Sequence, residues 1–396
     1  MKVTDKLTVN CTKITNLGMG VVYVDQFPFF VSNLLPNETA IIEIFDLKSK
    51  YGIGRVVKRL SDSPDRIEPI CPYFDECGGC QLMHMRDQSK FKQSQVEKIL
   101  KTQVEPLVFS PQSLYYRNKM IFQSNMKEIG FYQQRTNTVI DIDYCYLQSE
   151  LMNNILNFIR NNYTNLSEVT IRGDKEIMVD LTGDDPDPLP LLNEFEEIKS
   201  LYINKQHTHG SSTITTAING LKFRLSLESF FQVNSKQTEF LYNKVIELGN
   251  FKSTDTVLDL YCGIGTITLS VAKHVKKVIG VELNEQAIQD ANTNKHLNQI
   301  NNVDFICEDA TKYLKETQEQ FDVVIVDPPR KGLTKQGISD LISTKANRLI
   351  YVSCNPVTLK RDLDLLKDYY LPKTIIPFDM FPQTYHVELV ALMSRE

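Results

Sequence analysis

Between residues 255 and 392 short apolar runs alternate with segments of helical character, and that alternation leaves few architectures open. The runs fall at 257–260, 278–281, 303–306, 322–326, 348–352 and 387–392. A strand apolar on both faces needs cover on both sides, so apolar strands separated by helices predict a doubly wound, mostly parallel sheet. The fold class is therefore α/β, with a Rossmann-like domain over residues 221–396.

Ligands of such a sheet bind beyond the carboxyl ends of its strands. Three features fall there. The run Asp259-Leu260-Tyr261-Cys262-Gly263-Ile264-Gly265-Thr266 is a glycine loop after the first strand, and its glycines let backbone approach a ligand closely. Glu282 ends the next strand about twenty residues on, where a carboxylate meets a ribose diol. Thr268 stands where a full dinucleotide motif has its third glycine, and no Gly-Lys-Ser or Gly-Lys-Thr follows, which disfavours dinucleotides and ATP.

The third feature is Cys354 in Ser353-Cys354-Asn355-Pro356, directly after the apolar run 348–352. Pro356 keeps that strand from continuing as ladder, so the thiol sits at the strand end on which the glycine loop opens. A cysteine attacks as thiolate and needs a lowered pKa or a proton acceptor. Glu388 enters the last apolar run, where a carboxylate is costly without a function, and is the candidate base. His386 is its rival, because imidazole titrates near neutrality. Cys262 and Cys307 lack the context of Cys354 and are expected in the core.

Upstream, residues 1–62 contain five short β-type runs, at 6–11, 20–24, 27–31, 39–44 and 54–57, punctuated by Gly18, Gly20, Pro36 and Asn37. Five strands with this turn spacing predict a small OB-like β-barrel, a shape that holds single-stranded nucleic acid. Residues 61–69 read as a linker, and residues 63–220 as a central α+β domain with helical periodicity over 88–102. That domain opens with Cys71, Cys77 and Cys80 in the pattern Cys-x5-Cys-Gly-Gly-Cys, and Cys145 is the candidate fourth thiolate. Four sulfurs suit tetrahedral zinc or an iron-sulfur cluster, and three ligands crowded on one loop favour the cluster.

The net charge of -5 argues against indiscriminate nucleic-acid binding. It hides an asymmetry, since residues 86–135 carry nine basic against four acidic side chains, whereas 174–199 carry nine acidic against two basic. The first of these stretches also holds Tyr115, Tyr116, Phe122, Phe131 and Tyr132, of a kind that stacks bases, although core packing is the better reading for each alone. No apolar stretch is long enough to cross a membrane and the start lacks a signal-peptide core, so a cytoplasmic location is expected. No membrane partner or obligate protein partner is evident.

The glycine loop, Glu282, Glu308-Asp309-Ala310 and Asp327-Pro328-Pro329 resemble the class I S-adenosylmethionine-dependent methyltransferases, in whose pattern Asp309 lies near the adenine and Asp327 near the methyl-donor end. A methyltransferase with a presented cysteine has a specific use for it. Uracil carbon 5 becomes nucleophilic once a thiolate adds to carbon 6, and a base must later remove the carbon 5 proton.

The stretches Ser229-Phe230-Phe231-Gln232-Val233-Asn234, 259–266, Asp327-Pro328-Pro329-Arg330-Lys331-Gly332-Leu333, Ser353-Cys354-Asn355-Pro356 and His386-Val387-Glu388 resemble the RNA 5-methyluridine methyltransferases, in order and spacing, over essentially the whole chain. That resemblance implies S-adenosylmethionine contacts from Gln232, Tyr261, Glu282 and Asp327 beside Gly263, with Cys354 as nucleophile and Glu388 as base. It likens residues 1–62 to an RNA-binding TRAM domain, with Asn37 standing where that family has glycine. The segment around Cys71 to Gln81 is similar to the 4Fe-4S segment of the ribosomal-RNA branch. The resulting expectation is methylation of a uridine in 23S ribosomal RNA by an iron-sulfur enzyme. The alternatives are the same chemistry on transfer RNA, or a non-catalytic iron-sulfur RNA-binding protein.

Overall fold

A computed structural model describes all 396 residues. The N-terminal strands β1 (Lys6–Asn10), β2 (Lys13–Ile14), β3 (Gly20–Val24), β4 (Phe27–Val31), β5 (Thr39–Leu47) and β6 (Gly52–Ser61) form one sheet in the order β1-β5-β6-β4-β3-β2. It curls around Val22, Phe29, Val31, Ile42 and Ile44. The expected closed barrel is not formed. β1 and β2 are free edges, and β1 packs near β3 with no hydrogen-bonded ladder between them. Strand count alone did not reveal this, because closure depends on register and shear.

Asn37 has φ 71°, the left-handed conformation that asparagine tolerates better than any residue but glycine. The turn it makes sends Glu38 inward. That carboxylate, 1% exposed, accepts from the Leu35 and Ser63 amides at 2.8 and 3.2 Å and pairs with Arg66. Burial pushes its pKa up, but Arg66 and the two amides outweigh burial and hold it below the usual range.

Helix α1 (Gln88–Leu100) starts at the Asp87 cap, and its residues Val96 and Leu100 join the core beneath the C-terminal sheet. Strands β7 (Lys119–Ser124), β8 (Ile129–Tyr132) and β9 (Val139–Asp141) precede helix α2 (Glu150–Asn162). β10 (Leu166–Gly173), β11 (Ile177–Gly183), helix α3 (Leu189–Glu194), β12 (Ile198–Ile203) and β13 (Gln206–Gly210) follow. These strands make a second sheet, β13-β12-β11-β10-β7-β8-β9, covered by the apolar face of α2. The hairpin of β14 (Ile214–Ile218) and β15 (Leu221–Leu225) packs into the C-terminal core.

After α4 (Ser235–Gly249) the chain alternates β16 (Thr256–Leu260), α5 (Thr266–Ala272), β17 (Lys277–Glu282), α6 (Glu285–Leu297), β18 (Val303–Cys307), α7 (Ala310–Glu316), β19 (Val323–Val326), α8 (Lys335–Ser343), β20 (Arg348–Ser353) and α9 (Pro356–Leu366). It ends with β21 (Tyr370–Phe378) and β22 (Glu388–Arg395). The sheet order is β18-β17-β16-β19-β20-β22-β21, parallel except for β22. The order reverses between β16 and β19, which opens the ligand crevice there. The sequence reading omitted β21. Its Pro372 and Pro377 argue against a strand, yet β21 is an edge strand with a bulge between Pro372 and Thr374, the setting in which proline is tolerated. No helix is long and apolar enough to cross a membrane.

Asn37→Gly should leave stability within about 0.5 kcal/mol, whereas Asn37→Val should cost about 1–2 kcal/mol. The chain has no tryptophan, so urea unfolding followed by far-ultraviolet circular dichroism is the measurement. Equal stability of the two variants would refute a left-handed requirement at this turn.

Candidate active site

Tyr261, Gly263 and Gly265, with φ of 65, 54 and 82°, turn the chain out of β16 and into α5. A side chain on Gly265 would strike the Phe305 ring at 2.5 Å, whereas one on Gly263 would meet open space. The loop therefore packs on one side and faces a cleft on the other. Glu282, at the end of β17, accepts from the Gly263 amide at 3.3 Å and from Asn284 N–H at 2.9 Å, which fixes its carboxylate beside the loop. Gln232, Tyr261, Gly263, Asp259 and Asp327 line one pocket of about 40 Å³.

Asp259 is 1% exposed, and Thr268 donates to its Oδ2 at 2.5 Å while Oδ1 has no partner. Burial pushes this carboxyl up to about 7. The sequence signal for Asp259 is the same as for Glu388, a carboxylate inside an apolar strand, and the loop motif alone does not assign it a role. Asp309 caps α7, its Oδ1 accepting from Thr311 N–H at 2.9 Å and Lys312 N–H at 3.0 Å; it does not line the pocket, although its charge acts on Tyr261, which does.

Cys354 and Glu388 come from different strands, and the ladder between those strands decides how they meet. β20 and β22 are antiparallel, and their ladder ends with Ser353 opposite Leu389. Cys354 follows Ser353 and Glu388 precedes Leu389, so the two lie at the same end of neighbouring strands, near enough for the Glu388 charge to act on the thiol. Asp327 follows β19, the other neighbour of β20, and its amide donates to Leu260 O at 3.3 Å. The thiol, two carboxyls and glycine loop thus share one end of the sheet.

Electrostatics at this end are severe. Glu388 is 2% exposed, and burial and the nearby Asp327 both push its carboxyl far above the usual range. Asp327 is raised chiefly by burial. Burial, then the Glu388 and Asp327 charges, push the Cys354 thiol up to about 11, and Arg330 works in the opposite sense. Arg330 belongs to the Asp327-Pro328-Pro329-Arg330 stretch, whose sequence alone does not assign it a role. Its backbone carbonyl accepts from Asn355 at 3.0 Å and from Thr358 at 3.3 Å, which ties it to the Cys354 turn. Its Nη2 donates to His386 Nδ1 at 2.9 Å. Burial and Arg330 push His386 down to about 4. A neutral imidazole with Nδ1 already engaged is a poor base, which weakens His386 as rival to Glu388.

Cys71, Cys77, Cys80 and Cys145 line a different cavity, of about 380 Å³, together with the half-buried Arg117. All four are free thiols, raised above their ordinary range by burial. Nowhere do three Cys, His, Asp or Glu side chains converge in a geometry that holds a metal ion. The expectation of a zinc site or 4Fe-4S cluster, and of metal binding generally, is therefore corrected: chain spacing brought the cysteines to one cavity but did not set the separations of their sulfurs. One further expectation changes: Cys262 is buried as expected but Cys307 is exposed. Among the aromatics, Tyr116 and Phe122 pack in the core, the better reading for each alone, while Tyr115 and Tyr132 are exposed.

Residues 198–396 match the family described as tRNA (Uracil-5-)-methyltransferase. An uncharacterized RNA methyltransferase of Halalkalibacterium halodurans is 36% identical, covering 98% of this chain and 97% of its own. One of Staphylococcus aureus is 34% identical, covering 98% of each. The chain belongs to the RNA (uracil-5-)-methyltransferase family. Its activity is S-adenosylmethionine-dependent methylation of uracil carbon 5 in RNA. The crystal structure of Pyrococcus abyssi tRNA (uracil-54, C5)-methyltransferase in complex with S-adenosyl-L-homocysteine matches with a TM-score of 0.81 and 28% identity, over 98% of this chain and 99% of that one. This full-length likeness to a tRNA enzyme, with no metal-holding group, overturns the assignment to the iron-sulfur ribosomal branch and to 23S ribosomal RNA.

Alkylation of Cys354 by iodoacetamide, followed by peptide mass spectrometry and normalised to the exposed Cys307, should be slow at neutral pH and keep climbing toward a pH of about 11. Arg330→Met should move that climb to higher pH. An unchanged profile in the variant would show that Arg330 does not act on the thiol.

Proposed function

We propose that this protein methylates carbon 5 of a uridine in transfer RNA, with Cys354 as the nucleophile and Glu388 as the base that releases it. The observation that supports this chemistry is the end of the β20–β22 ladder at Ser353 and Leu389, beside which Cys354 feels the charges of Glu388 and Asp327. The choice of transfer RNA rests on the full-length likeness to the Pyrococcus abyssi enzyme, and uracil 54, named for that enzyme, is the first position to test.

The cleft suits S-adenosylmethionine on its own chemistry. Asp259 has an orphaned buried oxygen, Gly263 faces open space, and the buried acids Asp327 and Glu388 favour a cationic ligand. Gln232, Tyr261, Gly263, Glu282 and Asp327 would hold it, with Asp309 near the adenine. When bound, the cofactor supplies an electrophilic methyl group. Positive charge in the cleft favours the ionised forms of both acids. Asp327 then takes the thiol proton, and in its protonated form donates to the uracil oxygen on which charge develops. Cys354 adds to carbon 6, and carbon 5 accepts the methyl group. Glu388 next removes the carbon 5 proton, the C5–H electron pair becomes the C5–C6 double bond, and the C–S bond breaks to free Cys354.

Residues 1–62 and 63–220 are proposed to carry RNA, and 221–396 the chemistry. Arg55, Lys58, Arg59 and Arg135 line a groove of about 460 Å³ where the N-terminal sheet meets the central sheet, suited to phosphates. The target base must leave its stack to reach Cys354. A cytoplasmic location fits such a substrate.

Labelled methyl groups from S-adenosylmethionine should appear on a uridine of unmodified transfer RNA. Label on 23S ribosomal RNA alone, or on neither, would remove the reading. RNA carrying 5-fluorouridine should trap a covalent complex that Cys354→Ala abolishes, and an adduct persisting in that variant would place the nucleophile elsewhere.

A further inference from the structure

Residues 379–387 form a strap that leaves the end of β21 and returns to β22 at Glu388, with Phe378 and Glu388 paired across its base. The polar contacts that tie the strap to the rest of the protein go mainly to the segment between residues 81 and 118. Gln88 makes two of them: its Nε2 donates to Gln383 Oε1 at 2.7 Å, and its Oε1 accepts from the Gln383 amide at 3.0 Å. The amides of Gln81 and Leu82 both donate to Gln383 O at 3.0 Å. Lys92 is fully buried and donates to Asp379 Oδ1 at 2.6 Å and to Phe381 O at 3.0 Å. Tyr116 donates to Pro382 O at 3.0 Å. Gln383 itself has φ 68°, a strained conformation for a residue other than glycine and one that needs such over-determination.

From this clamp we infer that Gln88 and Lys92 of helix α1 are positioning residues for the Glu388 carboxyl, acting through the strap on the proton-abstraction step. The inference rests on Glu388 being the base. Addition of Cys354 and methyl transfer depend on β20 and on the glycine loop, which these bonds do not reach; the strap meets the thiol's surroundings only where His386 accepts from Arg330, and Arg330 is held separately at its carbonyl by Asn355 and Thr358. Loss of the clamp should therefore slow only the last step: transfer of the carbon 5 proton to Glu388, formation of the C5–C6 double bond, and departure of the Cys354 sulfur. The adduct methylated at carbon 5 and still bound to Cys354 should then accumulate on ordinary uridine.

The test uses full-length protein with Gln88→Met, which keeps side-chain length without the hydrogen bonds, and Gln88→Glu, which keeps the acceptor for the Gln383 amide. Gln88 opens α1, where a glutamate is favoured by the helix dipole, so this second variant should fold even if the first does not. Glu388→Gln serves as reference. On the RNA that the wild-type chain methylates, Gln88→Met should lower turnover by about ten- to a hundred-fold, the range a small misplacement of a reacting group costs. A covalent RNA–protein band carrying the labelled methyl group should appear on denaturing gels, as with Glu388→Gln. The rate of 5-fluorouridine adduct formation should stay at the wild-type value, and Gln88→Glu should recover part of the turnover. If Glu388→Gln accumulates the band and the Gln88 variants do not, or if their two rates fall in parallel, the positioning role is overturned while the base assignment stands. If Glu388→Gln accumulates no band, the base assignment fails and this inference fails with it.

Discussion

One antiparallel pairing organises the whole site. In a parallel sheet every strand offers only its carboxyl end to the ligand crevice, so residues near strand starts lie at the opposite pole. Because β22 runs against its neighbours, its first residue reaches the catalytic pole, at the end of the ladder beyond which Cys354 follows β20. Two side chains 34 positions apart in the chain are thereby brought to one end of neighbouring strands. A slip of one residue would turn Glu388 to the other face. β22 is held in register from both sides, by its ladders with β20 and β21, which prevents it.

That pairing produces a crowded, poorly solvated acidic pole. Asp259, Asp327 and Glu388 are raised by burial, and the Cys354 thiol is raised with them. Such a site is inert toward attack while it is empty of cations, and arriving positive charge reverses the penalty on each ionised form. Arg330 is the counterweight in the structure itself, held to the Cys354 turn through Asn355 and Thr358. The same guanidinium occupies His386 Nδ1, so one residue favours the thiolate and disfavours the competing base.

The catalytic half of the fold was legible because its signals are local. Each apolar run between residues 257 and 352 lies on a strand, and the glycine loop announces its own turn. What was not legible depended on distances between segments. Prolines hid β21, whose edge position makes them harmless. Closure of the N-terminal strands required a register that strand counting cannot supply. The cysteine pattern carried a metal expectation that the geometry of the four thiols does not meet. Motif order around Cys354 fixes the reaction and says nothing of which RNA is bound, so the ribosomal assignment leaned on those cysteines and fell with them. Asn37 was the reverse case, a departure from the family pattern that its left-handed φ reconciles with an unchanged turn.

The bond between Gln88 and Gln383 spans 295 positions of the chain. A protein made from its N-terminus exposes α1 and Cys354 before the strap and β22 exist, so the thiol emerges without its carboxylate partner and α1 without the segment it grips. β22 lies between β20 and β21, so the site is complete only once the final strand is in place. On the proposed chemistry, a nascent or C-terminally clipped chain would still present the glycine loop and the thiol, but would lack the carboxylate assigned to freeing the RNA.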